Sequence, residues 1–318
     1  RFLIADKNDG AARKAAEAAL ELTSANVDAR LLVTGASGPN QKADQLARAL
    51  SAIDDKRADD ILVVADSDVL LDRASFDGVV QPIQRGEADA SWAPPVEVSP
   101  VTSADRISAS LLSSSLHAFP ILALLDPGGM VGKLFAIRRD ALEATSGFEP
   151  LVDYLGEDME LSARLRARSL RIHASRTNAS SLVRGRAFRA VVERYARWIT
   201  VIRTQRPWLL ASYPLLLAAT PLQVAVGLGL ALRSDARLGL MVCAAAIVAR
   251  VGVAILTRAI VSRRDGACSS SGRLSDFIAV DVVLLLAFVR AMTTTTISWR
   301  GRPLRAVGRR IEFEEKHS

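Results

Sequence analysis

The chain is poor in the residues that build metal centres and covalent frameworks. Of 318 residues only Cys243 and Cys268 are cysteine, which excludes a disulfide framework and a cysteine-based metal site. The three histidines, His117, His173 and His317, are too scattered to form a cluster. No internal repeat stands out, and "SSSG" near residue 270 is a short flexible loop. No signal peptide opens the chain. It starts at "RFLIAD", a strand already entering a turn, so a further strand or an anchor helix is expected before Arg1. The most informative scarcity is of charge: Pro207 to Leu232 holds no charged residue over 26 positions. That is long enough to cross a bilayer core of roughly 30 Å.

What is present divides near residue 207. Half of all residues are apolar and the mean hydropathy is positive, high for a purely soluble enzyme. The formal charge is +7, from 41 Lys and Arg against 34 Asp and Glu. Such a balance suits nucleotides, phosphates or an anionic membrane surface. The arginines gather beside apolar segments rather than on an aromatic-studded sheet, so nucleic acid is not expected as a partner. Before residue 207, "FLIAD", "ARLLVTG" and "DILVVADSD" alternate with the helical patterns "AARKAAEAALEL" and "KADQLARALSAI". That β-α-β-α-β order predicts a three-layer α/β domain with a largely parallel sheet, whose ligands bind beyond the carboxyl ends of the strands.

After residue 207 two more apolar stretches follow the first. Leu238 to Val261 carries Arg250 and Arg258, and Phe277 to Trp299 carries Asp281 and Arg290. Together the three predict a membrane region over 206–300, with a basic tail over 301–318. Arg263, Arg264 and Arg273 in the intervening loop place that loop on the cytoplasmic side. Three full crossings would then put the basic tail outside, which conflicts with the same rule. One segment is therefore expected to lie in the interface or to cross only halfway.

Several short patterns carry chemistry. Asp66 and Asp68, at i and i+2 past the strand Ile61–Val64, face the same side. Two such carboxylates can hold Mg²⁺ or Mn²⁺ against a nucleotide's phosphates, although D-x-D also occurs in many solvated loops. In "YLGEDMELSARLRARSLRI" the leucine spacing starts a helix near Gly156 to Asp158. Glu157 and Asp158 then either complement the helix dipole or provide a general base at a pocket mouth. In "ERYARWIT", Arg194, Arg197 and Trp198 share a helical face within an interfacial helix about 186–205. The arginines suit phosphate oxygens and the Trp a rigid wall, and an amphipathic helix on the membrane surface would look the same. Asp6, in "IADKNDG", also fits an ordinary turn.

Taken in order, Asp6, Asp66/Asp68, Glu157-Asp158, Arg194-x-x-Arg197-Trp198 and the apolar segments resemble the membrane glycosyltransferases of GT-A fold. The resemblance is greatest to the ceramide glucosyltransferase family, including its bacterial and hopanoid-associated members. "GPNQKADQL" resembles that family's G-x-N-x-K-x-x-N-L loop through Gly38, Asn40, Lys42 and Leu46. "GKLFAIRRDAL", "RYARW" and "TISWRGRPLR" resemble further segments, so that the likeness runs over roughly residues 2 to 310. Gln41 departs from the usual Pro, and Asp44 and Gln45 from apolar or amide positions.

The resemblance implies an α/β, GT-A type (Rossmann-like) nucleotide-sugar domain over 1–205, followed by C-terminal transmembrane helices. It implies an inverting transfer of a hexose, glucose first, from a UDP-sugar to a lipid hydroxyl, ceramide first. Hopanoid, diacylglycerol or polyprenyl phosphate acceptors, a polysaccharide synthase and a non-catalytic binder are the alternatives. Asp6 would meet the uracil or ribose, with Lys42 beside the donor. Asp66 and Asp68 would hold the divalent cation and diphosphate. Asp158 would be the catalytic base, with Glu157 beside it. Arg194, Arg197 and Trp198 would close over the diphosphate and acceptor. His117 falls where eukaryotic relatives have a histidine near the acceptor. The protein would be integral to the membrane, with its catalytic domain on the cytoplasmic side.

Overall fold

The computed structural model describes residues 2–7, 9–23, 27–53, 57–264, 273–299 and 301–314. Residues 265–272, with Cys268 and "SSSG", lie outside these residues, as does His317. The chain runs β1 (Phe2–Asp6), α1 (Gly10–Glu21), β2 (Arg30–Thr34), α2 (Gln41–Ser51), β3 (Ile61–Ala65), α3 (Arg73–Gln84), β4 (Ala90–Trp92) and β5 (Pro95–Val98). Helices α4 (Ser103–Ser113) and α5 (Phe119–Leu125) follow, then β6 (Leu134–Arg138), α6 (Arg139–Ala144), α7 (Glu157–Ala167), β7 (Ile172–Ala174), β8 (Ala179–Leu182) and α8 (Phe188–Gln205). Three long helices come next, α9 (Tyr213–Arg233), α10 (Ala236–Ser262) and α11 (Leu274–Thr293). The last strands are β9 (Thr296–Trp299), β10 (Arg302–Val307) and β11 (Arg310–Phe313).

The first part is mixed α/β. β1 and β2 pair in parallel, and the larger sheet has the order β3-β6-β4-β7. Its strands depart from the parallel expectation at β6, which runs antiparallel to both β3 and β4. Alternation along β6 builds the layers. Phe135 and Ile137 join a core with Ala43 and Ala47 of α2 and Leu161 and Leu165 of α7. Leu134 and Ala136 face the other way, onto Val79, Val80 and Ile83 of α3. Because β6 starts where β3 ends, Lys133 stands opposite Asp66, one step beyond the Ala65–Leu134 pair. The Asp66 amide donates to the Lys133 carbonyl at 2.9 Å.

The segment from Pro207 to Arg233 and helix α10 are long and apolar enough to cross a membrane. Only 12% and 17% of their most apolar windows are buried within the protein, unlike the core helix of a soluble domain. They form a hairpin that closes through glycine: a Cβ on Gly239 would lie 2.4 Å from the Gly227 carbonyl oxygen. The carboxyl end of α10 returns to the α/β domain, where the Val261 carbonyl accepts from Asn178 at 3.3 Å. Arg250 in α10 forms a bidentate pair with Asp281 in α11 and also donates to the Ser114 carbonyl. Two of the four charges that interrupt the apolar stretches, Arg250 and Asp281, thus partner each other.

Helix α11 covers less than the third apolar stretch. It ends at Thr293, and Thr296–Trp299 is already strand β9. Its inner face, with Val280, Val283, Leu284 and Ala287, shares a core with Val191, Tyr195 and Ile199 of α8. The expected basic tail over 301–318 is instead largely an antiparallel meander, β9-β10-β11. Leu304 and Ile311 pack against Leu155 and Val201, and the Ile311 amide donates to the Asp153 carbonyl at 2.7 Å. Alternation separates these buried side chains from exposed arginines such as Arg305 and Arg310. The meander and the α/β domain therefore lie on one side of any membrane that the helices cross. That requires an even number of crossings, which the α9–α10 hairpin supplies.

Candidate active site

Asp66 and Asp68 lie in the turn that leaves β3. The Asp66 carbonyl accepts from the Val69 amide, and the Asp68 carbonyl accepts from Leu182 at the end of β8. Two lysines face them. Lys42 sits in the first turn of α2, whose N-cap Asn40 accepts from the Ala43 amide. Its Nζ lies 2.8 Å from Asp66, 3.3 Å from Glu157 and 2.5 Å from the Gly132 carbonyl. Lys133 Nζ reaches both oxygens of Asp68, at 2.6 and 2.7 Å, and one of Asp66 at 3.2 Å. Ser181 Oγ adds a 2.9 Å bond to Asp68.

Asp158 joins the same assembly through the backbone. It opens α7, where Gly156 is the N-cap. One oxygen accepts from the Gly132 amide at 2.6 Å and the other from Met159 at 2.8 Å. Asn40 fastens the neighbouring turn, donating to the Tyr154 carbonyl and, at 3.0 Å, to Glu157. The Gly132-Lys133 dipeptide is thus a hub: its amide holds Asp158, its carbonyl holds Lys42, and its side chain holds the D-x-D pair. Space at Gly132 is tight. A Cβ would come within 3.0 Å of Lys42 Nζ and 3.2 Å of the Asp158 Cβ. Gly132→Ala is expected to lower kcat/KM roughly tenfold by displacing both groups, read from steady-state rates beside an unchanged thermal midpoint.

Electrostatics separate the carboxylates. Burial pushes the Asp158 carboxyl up to about 6, and Glu157 adds to the shift against the opposing Lys42 ammonium and the two amides. Burial also acts on Asp68, but the Lys133 ammonium and the Ser181 hydroxyl outweigh it and hold Asp68 below the usual range. For Lys42, burial favours the neutral form, yet Glu157 and Asp66 more than reverse it and keep the ammonium charged.

The remaining expected residues lie around this centre or apart from it. Asp6 ends β1, in register with Thr34. Arg194 is close enough to help depress Asp68, but its guanidinium is bound to Glu97 and lies 4.6 Å over the Trp198 ring. Trp198 packs edge-on against Phe119 and Tyr195. Arg197 points to Trp299 of the meander, 5.9 Å from its ring. His117 stands apart, edge-on to Tyr213, and burial followed by the Arg250 charge lowers its imidazole to about 4. Asp44, a departure from the family loop, accepts from the Ser37 and Gly38 amides and braces the turn before α2.

Three residues escaped the sequence reading: Lys133, Gly132 and Glu97. The first two lie in the quoted "GKLFAIRRDAL" neighbourhood, but only an antiparallel β6 brings them to the end of β3. A cavity of about 440 Å³ lies elsewhere, along an apolar groove between α8 and α11 lined by Phe188, Val192, Leu286 and Val289.

The donor set suits one divalent cation. Among the described residues no cluster of three or more His, Cys, Asp or Glu forms a self-contained metal cage. Three oxygens of Asp66 and Asp68 nevertheless converge on the single Lys133 ammonium, a cationic centre built into the chain. Mg²⁺ and Mn²⁺ need few carboxylates, since they keep waters and take phosphate oxygens from a substrate.

Comparison with known proteins adds the following. The model of the family described as glycosyl transferase family 21 matches residues 2–310. No curated protein matches the chain. Among solved structures, it is similar to the mannosyltransferase PcManGT from Pyrobaculum calidifontis, in complex with GDP-Man and Mn²⁺. That likeness has 15% identity and a TM-score of 0.48, over 92% of this chain and 77% of that one.

Proposed function

The chain belongs to glycosyl transferase family 21, and from that premise we propose that it moves a hexose, glucose first, from a UDP-sugar to the hydroxyl of a membrane lipid, ceramide first. The observation that carries this reading is the Gly132-Lys133 hub. It ties a buried carboxyl with a raised pKa to a carboxylate pair charged for a cation.

The chemistry is an inverting displacement. The acceptor oxygen bonds to the anomeric carbon as the bond from that carbon to the UDP oxygen breaks. Asp158 takes the acceptor's proton while bond-making proceeds. Gly132 and Met159 amides hold its carboxylate in place. Lys42, fixed by Gly132 and Glu157, keeps positive charge beside the leaving diphosphate. Asp66 and Asp68 would hold the divalent cation, which supplies charge stabilisation to the departing UDP. Asp6 would meet the uracil or ribose. Arg194, Arg197 and Trp198 would border the diphosphate and acceptor, with Glu157 and His117 on the acceptor side. The α9–α10 hairpin would anchor the protein in the bilayer. Arg263, Arg264 and Arg273 would keep the catalytic domain on the cytoplasmic side.

The test is transfer by the purified full chain in nanodiscs with Mn²⁺ and labelled UDP-glucose. Ceramide, hopanoid and diacylglycerol are offered in turn. Labelled glycolipid from ceramide, with inversion at the anomeric carbon, is the expected result. Product from another lipid alone would move the acceptor assignment, and no product from any UDP-sugar would overturn the reading.

A further inference from the structure

Lys42 and Lys133 both neutralise the D-x-D pair, but they are held differently. Lys42 has two partners besides Asp66: the Gly132 carbonyl and Glu157. The described partners of the Lys133 ammonium are Asp66 and Asp68 themselves. A divalent cation drawn to those oxygens would compete for the position that Lys133 Nζ occupies. The cation and the ammonium cannot both fill the position shared by those three oxygens, so the ammonium must leave. Its side chain is 16% exposed and needs a new anion. A nucleoside diphosphate brings one to the same place.

We infer that Lys133 is an exchangeable counter-ion: it neutralises Asp66 and Asp68 in the donor-free protein, then yields them to a divalent cation and moves onto the donor's diphosphate. The inference rests on the proposed nucleotide-sugar reading of the site. It explains why one chain places two lysines on a two-carboxylate pair. Lys42 stays as a fixed wall of the site while Lys133 moves. It also couples the ligands, because each removes a competitor or supplies a partner for the other. Nothing covalent changes.

The test uses opposite signs in two binding measurements on the full chain in detergent, without acceptor. Mn²⁺ alone is titrated by calorimetry or by its electron paramagnetic resonance signal, and UDP is then titrated at saturating Mn²⁺. Lys133→Gln is expected to bind Mn²⁺ alone roughly tenfold tighter or more, because the charged hydrogen-bonding competitor is gone. The same variant should bind UDP roughly tenfold more weakly. A lysine that merely props the turn would weaken both. Unchanged or weaker Mn²⁺ binding would overturn the inference, as would unchanged UDP binding. Lys133→Met repeats the test should the amide variant not fold. The Mn²⁺ arm needs no sugar transfer, so a failure of the proposed reaction would leave it readable.

Discussion

Asp158→Asn is expected to cut turnover about 100-fold or more, the usual worth of a positioned general base. The amide keeps the shape of the carboxyl and can still accept from the Gly132 or Met159 amide. It cannot take a proton from the acceptor. Folding should therefore survive while the chemical step fails. The pH profile supplies a second reading. The unaltered carboxyl is raised to about 6 by burial first and Glu157 second. A base must be ionised, so activity should be low when the pH is well below 6, rise as the pH passes through about 6, and level off above it. In Asp158→Asn this rise should vanish from the residual rate. Single-turnover transfer with labelled UDP-glucose, followed between pH 5 and 8, checks both. Near-normal turnover by the variant would remove Asp158 from the role of base.

What the sequence made legible was local. The strand before Asp66-Ser67-Asp68, the helix opening at Glu157 and the R-x-x-R-W helix can each be read from short-range spacing, and each element is present. Asn40 and Lys42 could be picked out by the loop pattern, and α2 begins between them. What was not legible depended on strand direction and burial. An antiparallel β6 carries Lys133 to the acidic turn, whereas the β-α-β pattern predicts parallel neighbours. Arg194 has an obvious phosphate-binding character, but no local rule pairs it with a carboxylate 97 residues earlier in sequence. The C-terminal arginines looked like a charged tail because the buried partners that alternate with them, Leu304 and Ile311, are few.

Glu97→Ala is expected to cost about 3–5 kcal/mol of stability, the penalty for removing one partner from a buried ionic cluster. Glu97 lies in β5 within "PPVEVSP", and its side chain is fully buried. One oxygen accepts from both Arg186, at 2.5 Å, and Arg194. Burial alone would favour the neutral acid, but Arg194 and Arg186 hold the carboxyl below its usual range. The depressed value fixes the sign: the stability is present above the ordinary glutamate pKa and lost as the pH falls through the lower folded one. Asp105 prepares the other side of the cluster by accepting from the Gly185 and Arg186 amides. Truncating Glu97 would leave the Arg194 guanidinium, 12% exposed, without its nearest anion. That guanidinium would then turn to Asp68, whose carboxyl it already helps to depress. Two effects should follow together. The thermal midpoint in detergent should fall sharply, and Mn²⁺ should bind more weakly as a second cation competes for Asp68. Glu97→Gln, which keeps the volume and one acceptor, should retain more of the stability while showing the same loss of Mn²⁺ affinity. If both variants melt like the parent chain, the cluster is not a structural tie. If they lose stability with Mn²⁺ binding intact, Glu97 supports the fold without setting the charge of the site.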